Sequence, residues 1–317
     1  AYEIHERLVG SEMCLRDRNR IHAVRYTPDD GNVRGIVQIV HGMAEYVERY
    51  ENLAEFLTKR GILVTGEDHL GHGKSVSEGG SFGYFCEQDP ATVVVRDVHR
   101  LKKITEEQYP QVPYIILGHS MGSFIARNYL CRYGSGIGGA VIVGTGMQPA
   151  GLIFASKAMA GIQKLFCGSK HVSHFIDKAA FGGYNKRIDS PRTSSDWLSR
   201  NTENVDRYIE DELCGFTFTV NGFQTLFELI RRLQKQENLE KVPQNLPILM
   251  VSGAEDPVGD YGKGVHKACD SLKRAGVKNI TVKLYENDRH ELLNEDDAEV
   301  AMEDIWQWIC KEIPGIA

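Results

Sequence analysis

Six short segments, each three to five residues long and mostly apolar, constrain the fold most strongly. A strand that is buried on both faces of a sheet is apolar at nearly every position, whereas a half-exposed strand alternates. The near-continuous pattern therefore predicts parallel strands in the interior of a sheet. The predicted strands are Ile36–Val40, Ile62–Val64, Tyr114–Leu117, Ala140–Val143, Ile248–Val251 and Ile280–Leu284.

Amphipathic helical patterns lie between these segments. Within Glu51–Lys59 the apolar side chains recur at the spacing of one helix face, and the stretch around Trp306 repeats that spacing over two turns. Strands that alternate with helices indicate a doubly wound, mostly parallel α/β sheet. The more polar opening stretch, Glu6–Tyr26, is expected to add a hairpin at the sheet edge.

The alternation stops between Met147 and about Val242, where no buried parallel strand is predicted. Two amphipathic segments in this stretch flank an aromatic-rich sequence, Phe216–Val220. We expect a mostly helical cap, or lid, inserted over the sheet. Pro243 and Pro247 mark the return to the main domain, because proline does not continue a helix. The predicted domains are therefore a core of residues 1–146 and 243–317 and a cap of residues 147–242.

The composition excludes several classes of protein. The net charge of the 317 residues is −6 and the basic residues are scattered, which is unlike a nucleic-acid-binding protein. Seven widely spaced cysteines, without Cys-x-x-Cys or Cys/His ligand spacing, suggest free thiols in a reducing compartment. No signal-peptide pattern and no apolar run of about 20 residues is present, so a cytoplasmic location is expected.

The strongest functional signal is Gly118-His119-Ser120-Met121-Gly122, which matches the pattern G-x-S-x-G. It directly follows a predicted strand and precedes a predicted helix, as a nucleophile on a sharp strand-to-helix turn requires. Glycine on both sides allows the chain to bend tightly without a Cβ clash. The context predicts that Ser120 is a catalytic nucleophile.

A serine nucleophile needs a base, and the base needs an orienting carboxylate. On this kind of scaffold the acid and then the histidine follow the serine along the chain. Asp256 lies in a turn just after Ile248–Val251, and His290 follows Ile280–Leu284. Both positions are at carboxyl ends of strands, where open α/β sheets place their sites. Asp256 is preferred as the acid, with its neighbour Glu255 as the alternative.

The third predicted element is a pair of backbone N–H groups that would stabilise an oxyanion. The candidates are Met43, which follows strand Ile36–Val40, and Met121, which follows the nucleophile. Only the two amides are needed for this role, and both side chains are free to pack in the core. The adjacent His41 and His119 are expected to support the turns rather than to act as bases.

The glycine-rich segment Asp68–Ser75 contains two histidines three residues apart. No cysteine or carboxylate cluster completes a metal-ligand set, and the glycines lack the spacing of a phosphate-binding loop. We therefore expect neither a metal site nor a cofactor.

These segments together resemble the monoacylglycerol lipase and lysophospholipase-like branch of the α/β-hydrolases, which includes serine aminopeptidase-type hydrolases. The resemblance rests on His41–Glu45, Arg49-Tyr50, Gly61, Asp68–Ser75, Gly118–Gly122, Asp256–Val258 and His290, and it covers the chain from about Gly35 to Trp308. It implies an α/β-hydrolase fold, the triad Ser120, Asp256 and His290, and oxyanion amides from Met43 and Met121. The chain departs from the branch at Leu70, where a basic residue is frequent, and at Tyr46, where histidine is frequent.

The expected activity is that of a serine esterase or lipase, which would hydrolyse a single-chain lipid ester such as a monoacylglycerol or a lysophospholipid. Such a protein acts on a small-molecule lipid, not on nucleic acid, and its cap is expected to contact a membrane surface transiently. An aminopeptidase of the same fold is the first alternative, since acidic residues that could hold a free amine lie in the cap: Glu203, Asp206, Glu210, Asp211 and Glu212. A non-catalytic ligand-binding protein is the second. The sequence leaves the oligomeric state open.

Overall fold

The structure is a computed structural model that describes residues 20–316. These residues form a seven-stranded sheet with the strand order β1-β3-β2-β4-β5-β6-β7. All neighbouring strands are parallel except β1, which is antiparallel to β3. The strands are β1 (Ala23–Tyr26), β2 (Gly35–Val40), β3 (Ile62–Glu67), β4 (Tyr114–His119), β5 (Gly139–Val143), β6 (Ile248–Gly253) and β7 (Ile280–Tyr285).

The six predicted strands therefore all occur, each extended by one to three residues, and the mostly parallel α/β sheet is confirmed. The predicted edge hairpin starts at Glu6, and its first part, through residue 19, lies outside the described residues. Its last residues form β1, which pairs at the edge of the sheet with Ala23 opposite Glu67.

Ten α-helices surround the sheet within residues 20–316. They are α1 (Glu51–Thr58), α2 (Pro90–Gln108), α3 (Met121–Tyr133), α4 (Ala150–Cys167), α5 (His174–Phe181), α6 (Thr202–Glu210), α7 (Val220–Leu233), α8 (Gln236–Leu239), α9 (Lys263–Arg274) and α10 (Ala298–Glu312).

Alternate side chains of the strands enter two separate hydrophobic clusters, one on each face of the sheet. Ile36 and Ile116 face the cluster that contains side chains of α2, α3, α7 and α9. Val37 and Ile115 face the other cluster, which contains side chains of α1 and α10. Because both faces are covered, the central strands are buried along their whole length, which explains their near-continuous apolar sequences.

Residues 147–242 contribute helices but no strand to the sheet. Within this segment α7 packs against α2 and α3 of the main domain, and α4 packs against α7. Helix α7 is buried along most of its length, whereas α4 buries only Ile153 and Ala160. The division of the chain into a core and a separate cap, with boundaries at 147 and 242, stays a prediction.

Candidate active site

Ser120 occupies a tight turn between β4 and α3. Its φ of 54° lies in the left-handed region, which a residue with a side chain rarely adopts. The turn is held by a hydrogen bond from the Ser120 N–H to the Val143 carbonyl at 3.0 Å. A Cβ at Gly118 would lie 2.4 Å from the Gly122 oxygen, and one at Gly122 only 1.9 Å from the Val40 oxygen. The two glycines are therefore required by close backbone contacts as well as by the turn.

Asp256 and His290 lie in the loops that follow β6 and β7, and they are hydrogen-bonded. His290 Nδ1 is 2.9 Å from Asp256 Oδ2, and both side chains are buried. A carboxylate only accepts, so Nδ1 carries the proton and leaves Nε2 as the basic nitrogen. Asp256 also accepts from the Val258 N–H at 2.8 Å. The alternative acid, Glu255, is exposed.

The turn of Ser120 contacts the loop of His290 through the neighbouring residue, His119. The His119 Nε2 donates to the backbone oxygen of His290 at 3.1 Å, and the two histidine rings are 4.8 Å apart. Within residues 20–316 no hydrogen bond joins Ser120 Oγ to the His290 ring. This bond is commonly long in free enzymes and tightens when substrate binds.

The loop after β2 closely approaches the serine. A Cβ at Gly42 would lie 2.5 Å from Glu45 Oε1 and 3.1 Å from the Ser120 Cβ, so a side chain at this position would displace its neighbours. Met43 is the next residue, and Met121 is the first residue of α3, where the N–H has no acceptor within the helix. The two predicted oxyanion donors thus belong to the segments that flank Ser120.

The sequence of residues 31–297 matches the family described as "Serine aminopeptidase, S33". The match covers most of the chain and includes every predicted site residue. The chain belongs to this family. Its fold and its relatives place it in the α/β-hydrolase superfamily, as the sequence predicts.

Curated relatives of this S33 protein include lipases. It is 29% identical over 273 residues to "Monoglyceride lipase" of Rattus norvegicus, which covers 86% of this chain and 80% of the relative. It is 27% identical over 289 residues to "Monoacylglycerol lipase" of Mycolicibacterium smegmatis, covering 91% and 92% of the two chains. Among solved structures, a thermostable carboxyl esterase from Bacillus coagulans in complex with glycerol superposes with a TM-score of 0.90, at 29% identity and 100% coverage of both chains.

A buried cluster of charged residues, which the sequence did not predict as a site, lies beside the predicted triad residue His290. Arg49 makes a bidentate ion pair with Glu291, at 2.7 and 2.9 Å, and a further ion pair with Glu45 at 2.9 Å. Asn204 of α6 donates to Glu291 at 2.6 Å. Since Glu291 follows His290 directly, the cluster connects the loop that carries His290 to the turn before α1 and to helix α6.

Glu45 connects this cluster to the serine turn. Its carboxylate accepts hydrogen bonds from the Gly42 N–H at 2.5 Å and the Tyr50 hydroxyl at 2.7 Å, and it lies 3.3 Å from His119 Nδ1. The Nδ1 of His119 also lies 2.9 Å from the Tyr50 hydroxyl, so both ring nitrogens have polar partners. Burial acts to lower the pKa of His119, but the hydrogen bond and charge of Glu45 outweigh it and raise the pKa. The only sequence signal for this cluster is the spacing of four between Glu45 and Arg49.

The two departures from the expected branch pattern have different surroundings. Leu70 is buried, with 2% exposure. The Tyr46 hydroxyl donates to Asp211 at 2.8 Å and so joins the loop after β2 to the segment after α6.

The histidines of the predicted glycine-rich segment pack together with His41. The His41 and His69 ring centroids are 4.0 Å apart, and those of His41 and His72 are 5.2 Å apart. Burial lowers the pKa of His72 to about 3 and also lowers the pKa of His41 and His69, so all three rings are neutral at pH 7. Residues 20–316 contain no group of three or more His, Cys, Asp or Glu side chains placed to hold a metal.

The acidic residues predicted as an amine site do not form one cluster. Asp206 pairs with Arg192 at 2.7 Å and Asp211 accepts from Tyr46, while Glu203, Glu210 and Glu212 are exposed. In the described part of the chain, no helix combines the length and the hydrophobicity that a membrane-spanning segment needs.

Proposed function

We propose that the protein is a serine hydrolase that cleaves carboxylic esters of single-chain lipids, a monoacylglycerol or a lysophospholipid, through an acyl-enzyme intermediate. The buried hydrogen bond between Asp256 and His290, at the sheet edge that carries the Ser120 turn, supports this proposal most directly. The lipases and the carboxyl esterase among the similar proteins support an ester rather than an amide substrate.

In the proposed mechanism His290 takes the proton of Ser120 as its Oγ attacks the ester carbonyl. Asp256 holds the imidazole in the required tautomer and stabilises the imidazolium that forms. The Met43 and Met121 amides would donate to the oxyanion of the tetrahedral intermediate, where each donor is typically worth about 10²–10³ in kcat. After the alcohol leaves, a water molecule activated by His290 hydrolyses the acyl-enzyme.

A lipid substrate is supported by the apolar surface of residues 147–242. The side chains of Phe154, Leu165 and Phe166 on α4 are 77%, 84% and 84% exposed, and Phe175 on α5 is 65% exposed. Several large apolar side chains exposed on neighbouring helices are typical of a site of interaction. We propose that this surface makes transient contact with a lipid interface while substrate enters.

The aminopeptidase alternative is favoured by the family description. It requires a carboxylate that is free to bind a substrate ammonium group close to Ser120. Asp206 and Asp211, however, already have partners in the protein, and the remaining three acidic residues are exposed. This arrangement favours the ester substrate.

The test has two parts. A fluorophosphonate should label the protein covalently at Ser120, and Ser120→Ala should abolish both labelling and turnover, whereas Ser271→Ala, in buried surroundings on α9, should change neither. Hydrolysis at the wild-type rate by pure Ser120→Ala protein would refute the nucleophile.

The second part compares p-nitrophenyl esters from acetate to laurate with aminoacyl p-nitroanilides. Each acyl methylene that the protein buries contributes roughly 0.8 kcal/mol, so four should raise kcat/KM about a hundredfold if the gain is kept in the transition state. If kcat/KM did not depend on acyl-chain length and the anilides were cleaved rapidly, the lipase proposal would be wrong and the aminopeptidase alternative would be favoured.

A further inference from the structure

An indole ring from outside the predicted triad lies against the proposed catalytic histidine. Trp197 belongs to a short 3₁₀ helix, Asp196–Leu198, and its ring centroid is 5.1 Å from that of His290, with the planes inclined by 39°. The indole also packs edge-on against Tyr184, at 4.8 Å. It is half-buried, so part of its surface remains available to a bound molecule.

The backbone on both sides of Trp197 is bonded to the loop that carries His290. The Glu291 N–H donates to the Leu198 oxygen at 2.6 Å. The Arg289 guanidinium donates to the oxygens of Asp196 and Ser199, at 2.8 and 3.0 Å. Four consecutive residues are thus fixed by the two neighbours of His290, and the indole is held in place relative to the imidazole.

The chemistry of the proposed reaction defines which part of the substrate lies beside this ring. His290 takes the proton of Ser120 as the bond between Ser120 Oγ and the acyl carbon forms. When the bond from that carbon to the alkoxy oxygen then breaks, His290 gives the proton to the alkoxy oxygen. The alcohol must therefore lie next to His290 Nε2, since Nδ1 is bonded to Asp256. A bulky side chain fixed against the imidazole is therefore placed to limit the space for the alcohol.

We infer that Trp197 is a specificity-determining residue that walls the leaving-alcohol side of the site and disfavours esters of alcohols that are branched next to the ester oxygen. This inference rests on the proposed function, because it uses His290 as the proton donor to the leaving group. It extends that function by assigning the selection of the alcohol to a residue outside the triad.

The experiment measures kcat/KM for two ester series. One series holds the octanoyl group constant and varies the alcohol from methyl to 1-glyceryl to cyclohexyl, and the other holds methanol constant and varies the acyl chain from butanoyl to dodecanoyl. Trp197→Ala should raise the cyclohexyl-to-methyl ratio about tenfold or more, the usual effect of opening a pocket by more than one methylene. It should leave the acyl-chain profile unchanged within about twofold.

Two variants serve as controls. Trp306→Ala removes another half-buried indole, in the cluster on the opposite face of the sheet, and should not change either profile. Trp197→Phe keeps an aromatic wall and should retain most of the selectivity. If Trp197→Ala fails to fold, as judged by circular dichroism, Trp197→Leu gives the same test because leucine is smaller but keeps apolar contact with Tyr184.

An unchanged alcohol ratio in folded Trp197→Ala or Trp197→Leu protein, or an equal change in both series, would overturn the inference. Neither result affects the proposed function as long as Ser120→Ala abolishes turnover. Activity that survives in Ser120→Ala would instead refute the proposed function itself, so the two failures are distinguishable.

Discussion

Gly122→Ala tests whether the close contact between β2 and α3 maintains the proposed oxyanion site. The added Cβ would lie 1.9 Å from the Val40 oxygen and 2.5 Å from the His41 oxygen. A Cβ essentially never approaches a backbone atom closer than 3.0 Å, so the two segments would have to separate by about 1 Å. Met43 lies just after one segment and Met121 begins the other, so the distance between the two proposed donors would change with them.

The expected costs follow from this displacement. Overpacking of a rigid contact costs about 1–3 kcal/mol of stability. A misplacement of about 1 Å in the catalytic geometry costs about 10²-fold in rate, and the loss of one oxyanion donor about 10²–10³-fold. We therefore expect kcat on p-nitrophenyl octanoate to fall about a hundredfold to a thousandfold, with a smaller change in KM, and urea unfolding to show the loss of stability.

Gly161→Ala is the matched control, because nothing lies within 4 Å of a Cβ at this position in α4. Alanine is the better helix former, so this variant should gain about 0.5–1 kcal/mol of stability and keep its kcat. The argument from the close contact fails if Gly122→Ala hydrolyses the ester at close to the wild-type rate and unfolds at the same urea concentration.

Three further predictions concern buried carboxylates and their partners. Asp256→Asn should lower kcat by about 10³–10⁴ with the fold intact, while Glu255→Gln, at an exposed position, should change kcat little. Ester hydrolysis measures kcat and circular dichroism checks the fold; a larger loss of kcat in Glu255→Gln than in Asp256→Asn would make Glu255 the acid. Arg49→Met should lower the free energy of unfolding by about 3–5 kcal/mol in urea titrations, because it leaves two buried carboxylates without their cation, and a change below about 1 kcal/mol would contradict this. Burial raises the pKa of Asp97 to about 7, so the folded state favours its neutral form and loses stability as the pH rises from about 4 through 7. Asp97→Asn should therefore raise the melting temperature at pH 8 and have little effect at pH 4, and an equal effect at both pH values would exclude this titration.

The strands could be predicted because burial on both faces leaves a strong local signal. All six residues of β2 and of β4 are buried, and their sequences are correspondingly apolar. Strand β7 lies at the sheet edge, and its alternate residues are exposed, which explains why Thr281 and Lys283 interrupt its apolar sequence. The turn at Ser120 was visible for a similar reason, since both flanking glycines are dictated by backbone contacts and appear in the sequence itself.

The surroundings of the triad positions could not be predicted, because they depend on contacts between residues that are distant in the chain. Arg49 and Glu291 are 242 residues apart, and Asn204 and Glu291 are 87 apart. Neither separation leaves a periodicity or a spacing in the sequence. No sequence motif surrounds Trp197. Its position beside His290 follows only from the hydrogen bonds between its segment and the loop of His290 and from the contact between the two rings.

The position of the site, by contrast, follows from the topology alone. After β2 the chain turns to α1 on one face of the sheet, whereas after β4 it turns to α3 on the opposite face. Because β2 and β4 are neighbours, their loops diverge and leave a crevice at the carboxyl ends of the two strands, where ligands bind in open α/β sheets. Met43 and Ser120 border this crevice, and the loops after β6 and β7 carry Asp256 and His290 to the same edge. The strand order is therefore enough to locate the nucleophile and its proposed oxyanion donors. The proposed alcohol side of the site could be found only from the three-dimensional structure, because Trp197 belongs to the 147–242 segment, which adds no strand to the sheet.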